Sequence, residues 1–189
     1  MKELSMASLA RFAVTIATCL AITSVAGSAA AEGAAELESE AIAALERLYA
    51  HTPAAQTLGA DAKGILMYPQ VGKAGFIFTG EFGVGALLQD GSATAYYNIA
   101  EVSAGYQAGV EKFSYALFFM TDSALEYLGK SGGFSLGAGP SLTVADKGFA
   151  TSMTTTTARS DIYAFTFGAE GLMGGLGLKG SKITRYHPK

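Results

Sequence analysis

From Gly64 onward the residue character of this chain alternates with a period of two, and glycine recurs inside the alternating runs as well as between them. Period-two patterning is the signature of half-buried strands. A glycine within a strand contributes no side chain to packing, so it marks a bend, a bulge or a close backbone approach. With 24 glycines in 189 residues, the pattern points to a tightly curved sheet or a small, nearly closed barrel.

Ahead of that region the period is helical. Over Glu36 to Ala50, Leu37, Ala41, Leu45 and Leu48 share one face, with Ile42 and Tyr49 beside it and glutamates opposite. Pro53 is expected to end this helix, and a short second helix to lead into Gly64. The strands expected next are Gly64 to Tyr68 (stopped by Pro69), Ala74 to Phe82, Thr94 to Ile99, Ser103 to Val110 and Tyr115 to Met120. Asp90-Gly91 suits the tight turn of a hairpin, and Asp122 is placed to cap a short helix over Ser123 to Leu128. Further strands are read over Ser141–Ala145, Ala150–Thr157, Asp161–Phe167, Leu172–Leu178 and Lys182–Tyr186. The expected fold is α+β: an N-terminal amphipathic helix packed on a curved, largely antiparallel, Gly-rich β-sheet or small barrel.

Residues 1–31 read as a secretory signal peptide. Lys2 and Arg11 give a basic start, Phe12 to Ala26 is apolar without a charge, and Ser28 to Ala31 supplies small residues for cleavage near Ala31. The expected organisation is this signal, a helical segment over 32–61 and one domain over 62–189, in a periplasmic or secreted protein. Cys19, the single cysteine, lies inside the signal. Thr18 before it is a poor match to a lipoprotein site, so lipidation at Cys19 is the lesser expectation, and no disulfide or thiol chemistry remains for the domain.

Charge is unevenly spread behind a formal net charge of −3. Glu32, Glu36, Glu38, Glu40, Glu46 and Asp61 face Arg47 as the lone base of the helical segment, whereas Lys179, Lys182, Arg185 and Lys189 close the chain without an acid. That polarity can orient a molecule at a charged surface but falls short of the basic face of a nucleic-acid binder. Near an anionic bilayer each such base contributes about 1 kcal/mol, and four give only about millimolar affinity. Membrane recognition therefore needs a headgroup pocket, an inserted apolar element or several copies.

Enzyme chemistry finds little support. Gly175-Leu176-Gly177-Leu178-Lys179-Gly180 has the spacing of a dinucleotide loop, but the residues from Ser181 on read as a strand and not the helix required to receive a pyrophosphate. His51 and His187 lack partners at metal-ligand spacing. The β-region carboxylates are scattered singly, and no serine-hydrolase elbow is present. Thr154 to Thr157 reads first as strand, with a row of headgroup-binding hydroxyls as the alternative. Arg159 and Asp161 share a strand face, where Asp161 is expected to be structural. No metal or other cofactor is expected.

The ordered words Ala62-Lys63-Gly64-Ile65-Leu66 with Pro69, Lys73-Ala74-Gly75-Phe76, Tyr96-Tyr97-Asn98-Ile99, Gln107-Ala108-Gly109 and Ala116 to Thr121 carry a resemblance. They continue through Asp146-Lys147-Gly148, Thr154 to Asp161, Tyr163-Ala164-Phe165 and Gly180 to Thr184. Across Ala62 to Arg185 the chain resembles the SYLF domain family, whose fungal members are described as Ysc-type actin-binding domains. The resemblance implies a non-enzymatic module that binds anionic phospholipids, such as phosphoinositides or phosphatidic acid, at a membrane surface. Some relatives appose a basic helix to lipid, but the helix from Glu36 here is acidic. That shifts the expected lipid contacts to Lys63, Lys73, Lys147, Arg159, Lys179, Lys182 and Arg185. An actin partner is not expected behind a secretion signal; an envelope protein partner is the alternative to lipid, and nucleic acid is excluded.

Overall fold

The structure is a computed structural model that describes residues 33–75, 78–104, 109–130, 133–136, 138–145, 160–171 and 181–188. The expected signal peptide, the Thr154–Thr157 run, the strands read over Ala150–Thr157 and Leu172–Leu178, and the Gly175–Gly180 loop all lie outside the described residues. The chain divides into two compact units, Met1–Glu36 with Pro188–Lys189, and Leu37–His187. The second unit carries the fold.

Its elements run from helix α1 (helical over 33–51, in this unit from Leu37) through α2 (Pro53–Asp61), β1 (Gly64–Gly75), β2 (Phe78–Gln89), β3 (Ser92–Ala104) and β4 (Gly109–Phe119). They continue with α3 (Asp122–Leu128), β5 (Phe134–Ser135), β6 (Leu142–Ala145), β7 (Ile162–Gly171) and β8 (Lys182–Tyr186). The strands form one curled half-barrel sheet in the order β5-β8-β3-β2-β1-β4-β7-β6. Every pairing is antiparallel except β6 with β7. The α+β expectation, with a helix on a curved and largely antiparallel sheet, is the fold observed.

Two apolar layers hold the sheet. On the outer face Ala41, Ala44 and Leu48 of α1 and Ala55 and Leu58 of α2 pack on Ile65, Met67, Ala86, Leu88, Ala116, Phe118, Tyr163 and Phe165. On the inner face Tyr68, Val71, Tyr97, Ile99, Phe113, Tyr115, Leu117 and Phe119 meet Ala124 and Leu128 of α3 together with Phe134. The end of β4 is therefore apolar at every position, as strands covered on both faces are. Glu38 also ties α1 to the β2–β3 hairpin, accepting the Ala93 N–H at 2.8 Å.

Several local expectations are corrected. Pro69 does not stop β1: the strand passes through it at a bulge where the register to both neighbours shifts. Proline is tolerated there because a bulge residue owes no ladder donor, and the Ser114 hydroxyl donates to the Pro69 carbonyl at 2.7 Å. The first helix does end ahead of Pro53, as expected, and Pro53 also opens α2, its missing N–H costing nothing in a first turn. The Ala74–Phe82 run is divided between β1 and β2, and Thr94–Ile99 is part of a longer β3 that reaches Ala104. Thr121, not Asp122, caps α3, accepting the Ala124 N–H. Asp90 and Gly91, at φ 50° and 81°, make the hairpin turn the Asp-Gly pair suggests.

Gly85 shows why glycine is needed inside a strand. A Cβ there would lie 2.5 Å from the Met67 carbonyl oxygen and 2.6 Å from the Tyr68 ring. The Tyr68 ring crosses the position where a neighbouring side chain would stand. Gly85→Ala is expected to cost about 2 kcal/mol by overpacking, whereas Gly80→Ala, with no described atom within 4 Å of its Cβ, should change stability little. Urea unfolding of the two variants checks this, and equal midpoints would show that both the Met67 carbonyl and the Tyr68 ring yield freely.

Candidate functional site

Two strand irregularities meet at the C-terminal end of α1. One is the β1 bulge around Pro69; the other shifts the β4–β7 register between Lys112 and Ser114, where Gly168 takes φ 64°. Bulges bend and twist a strand, and a cavity of about 730 Å³ opens there beside the helix. Arg47, Leu48, His51 and Thr52 line it from the helix side, Pro69 and Gln70 from β1, Lys112, Phe113 and Ser114 from β4, and Phe167 and Gly168 from β7.

The charge of this lining is one-sided. Arg47, His51 and Lys112 contribute basic groups, and no carboxylate lines the cavity among the described residues. Leu48, Phe113 and Phe167 provide apolar wall, while Thr52, Gln70 and Ser114 add hydrogen-bonding groups. A cavity of this size that joins apolar wall to converging polar groups can serve as a small-molecule site. Its chemistry suits an anion joined to an apolar body: Arg offers a fork of donors to phosphate or carboxylate, and Lys a mobile point charge. The His51 ring nitrogen Nδ1 lies 2.8 Å from the Arg47 carbonyl, which fixes the ring over the last turn of α1.

Sequence reasoning missed all three of these bases. Arg47 stood out as the lone base among six acids, whereas Lys112, next to Glu111 in an alternating run, drew no notice. Nothing in the sequence marked the bulges that bring them together.

The predicted contact residues are dispersed. Lys147, Arg159 and Lys179 lie outside the described residues. Lys63 is exposed at the start of β1 and lines a different cavity, of about 400 Å³, in company with Glu46 and Asp90. Lys182 and Arg185 are exposed on β8 but face opposite sides of the sheet, because Lys182 sits across from Ala100 and Arg185 across from Tyr97. Lys73 departs from the expected membrane-facing set: its side chain is buried on the inner face. There the register sets Glu101, Glu81, Lys73 and Glu111 side by side across β3, β2, β1 and β4.

That buried row has its own electrostatics. The Glu81 carboxyl is pushed up to about 7, chiefly by burial, with Glu101 and Glu111 adding to the rise and Lys73 opposing it. The Ser181 hydroxyl donates to Glu101 at 2.7 Å. One oxygen each of Glu81 and Glu111, and the hydroxyls of Tyr68 and Tyr115, are buried without a hydrogen-bond partner. Burial raises both tyrosines well above the ordinary phenol range. Asp161 is structural, accepting bonds from the Ser141 N–H (2.9 Å), the Ser141 hydroxyl (2.7 Å) and the Thr121 hydroxyl (3.3 Å). The Ser141 bonds hold its carboxyl below the ordinary range. Among the described residues no group of three His, Cys, Asp or Glu is placed to hold a metal, and no helix is long and apolar enough to cross a membrane.

No curated protein matches the chain. Residues 100–188 match the family described as "Ysc84: Las17-binding protein actin regulator". The match takes in the cavity-lining positions of β4 and β7, the inner Glu111 and all of β8; the resembling words from Ala62 to Ile99 precede it. Residues 100–188 thus carry a match to the Ysc84, or SYLF, domain, consistent with the resemblance read from the sequence.

Proposed function

We propose that this protein binds anionic phospholipid at a membrane surface, without catalysis, and that the cavity at the end of α1 receives the headgroup. The observation that carries the reading is the one-sided charge of that cavity, in which Arg47, His51 and Lys112 converge with no carboxylate among the described lining. Apolar wall from Leu48 and Phe167 suits the glycerol and first acyl carbons beneath a phosphate. The SYLF resemblance supports the same class of ligand. The basic start, apolar run and small-residue close of 1–31 support export, placing the target bilayer at the cell envelope.

Flotation of the protein with vesicles of phosphatidylglycerol or phosphatidic acid, beside neutral phosphatidylcholine, tests this at two salt concentrations. Binding is expected to the anionic vesicles alone and to weaken with salt, because exposed charge is screened within about 10 Å at 0.1 M. Arg47→Glu with Lys112→Glu should lower affinity about tenfold or more, whereas Lys63→Glu should leave it near the starting value. An unchanged profile for the double reversal would move the site elsewhere.

The family description names protein partners, which supports a second reading as an envelope interaction module. A partner recovered from envelope extract in the presence of detergent, together with negative flotation, would favour that reading.

A further inference from the structure

One end of the sheet is built inside out. Among the described residues five large apolar side chains are exposed, and four of them share the outer face of one sheet end: Phe78 at 70%, Phe82 at 56%, Val102 at 82% and Val110 at 61%. The residues between them point inward and are polar, with Thr79, Glu81, Lys73 and Glu111 each no more than 6% exposed. A sheet facing water normally shows the reverse alternation. Apolar-out with polar-in is the pattern of strands that face lipid.

The register makes these side chains one surface. Val102 lies across from Gly80, Gly80 from Ala74, and Ala74 from Val110, so the two valines flank a row of small residues. One pleat repeat behind, the next outer row runs Lys182, Ala100, Phe82, Gly72, Lys112. Its two lysines are exposed and stand about 19 Å apart, four strand spacings, with Phe82 midway. They lie about 7 Å behind the valine row. Bases at that setback can hold headgroup phosphates while the apolar row enters the acyl boundary, which interfacial elements penetrate by about 5–10 Å.

The geometry points to this end of the half-barrel as a bilayer-inserting face, with Phe78, Phe82, Val102 and Val110 entering an anionic membrane and Lys112 and Lys182 held at the headgroups. It rests on the lipid reading above and adds to it an apolar element that the cavity does not provide. Lys112 belongs to both, since it also lines the cavity. The lysine rim and the apolar-out alternation across three strands favour a bilayer over a protein partner.

The full chain carrying Cys19→Ser and Val102→Cys, labelled with an environment-sensitive dye, tests it on vesicles of equal parts phosphatidylglycerol and phosphatidylcholine. The label should shift to the blue and be quenched by nitroxide lipids, while the same label at Ser92→Cys, near the opposite end of β3, stays aqueous. Phe78→Ser with Phe82→Ser should weaken vesicle binding about tenfold without changing the binding of soluble glycerol phosphate. Vesicle binding with the Val102 label still open to aqueous iodide would overturn insertion and leave the headgroup site standing. Insertion that survives Arg47→Glu unchanged would instead remove the cavity and keep this face. A blue shift without vesicles, accompanied by a doubled mass in light scattering, would assign the face to a second copy and overturn the proposal.

Discussion

Phe118→Ala should lower the stability of the domain by about 4 kcal/mol, within the range for emptying a fully buried aromatic site. Phe118 is wholly buried on the outer face. It meets Phe165 of β7 edge-on at 5.1 Å and Tyr49 of α1 at 6.4 Å between ring centroids. One side chain thus joins the sheet centre, the β7 side and the helix, and its removal leaves a cavity that none of the three can fill alone. Phe118→Leu retains most of the volume and should cost about 1 kcal/mol. Urea unfolding followed by far-UV circular dichroism measures both. Because α1 also carries Arg47 and His51, the alanine variant should bind anionic vesicles more weakly even where it remains folded. Equal small losses for the two variants would mean that the helix is held chiefly by Ala41, Ala44 and Leu48, independently of this ring.

The fold was legible where one physical rule acted alone. The helical period of Leu37, Ala41, Leu45 and Leu48, the Asp90-Gly91 turn and the alternation of β8 each arise from local chemistry. Reading failed where tertiary context overruled a local rule. Pro69 reads as a strand stop, yet a bulge and the Ser114 hydroxyl let β1 pass. Asp122 is a good capping residue, but the Thr121 hydroxyl already occupies the cap and also bonds Asp161.

The candidate site was less legible, because it is made by geometry and not by a motif. Arg47 and Lys112 are 65 positions apart in the sequence, and only the paired bulges of β1 and β7 place them around one cavity. Geometry of the same kind misplaced Lys73. A lysine beside glycine in an alternating strand reads as an outward base, but the alternation at this sheet end is inverted, so the outward positions are apolar and the charged ones are buried. Gly80, Phe82, Val102 and Val110 held that information, which became readable once the register showed them on one face.

The inverted row makes a prediction with a defined sign. Folded Glu81 titrates near 7 because burial disfavours its charge, with Glu101 and Glu111 adding to the effect and Lys73 opposing it; its ordinary value is 4.5. Between those two values the folded state binds more protons than the unfolded one, so stability falls as pH rises through the window and levels off above about 7. Each pH unit of separation corresponds to about 1.4 kcal/mol. Glu101 is only half-buried, so solvent screens part of the row, and a net penalty of about 2 kcal/mol at pH 8 is the expectation. Glu81→Gln removes the charge and keeps the shape. It should be more stable than the parent by about 2 kcal/mol at pH 8 and nearly equal to it at pH 4.5. Lys73 keeps Glu111 as its cross-strand neighbour in that variant, so its own charge is not abandoned. Urea unfolding at the two pH values decides the matter: a loss of stability at pH 8 would mean that the attraction to Lys73 outweighs desolvation, and that the row is an ion-paired strut instead of a buried charge held under strain.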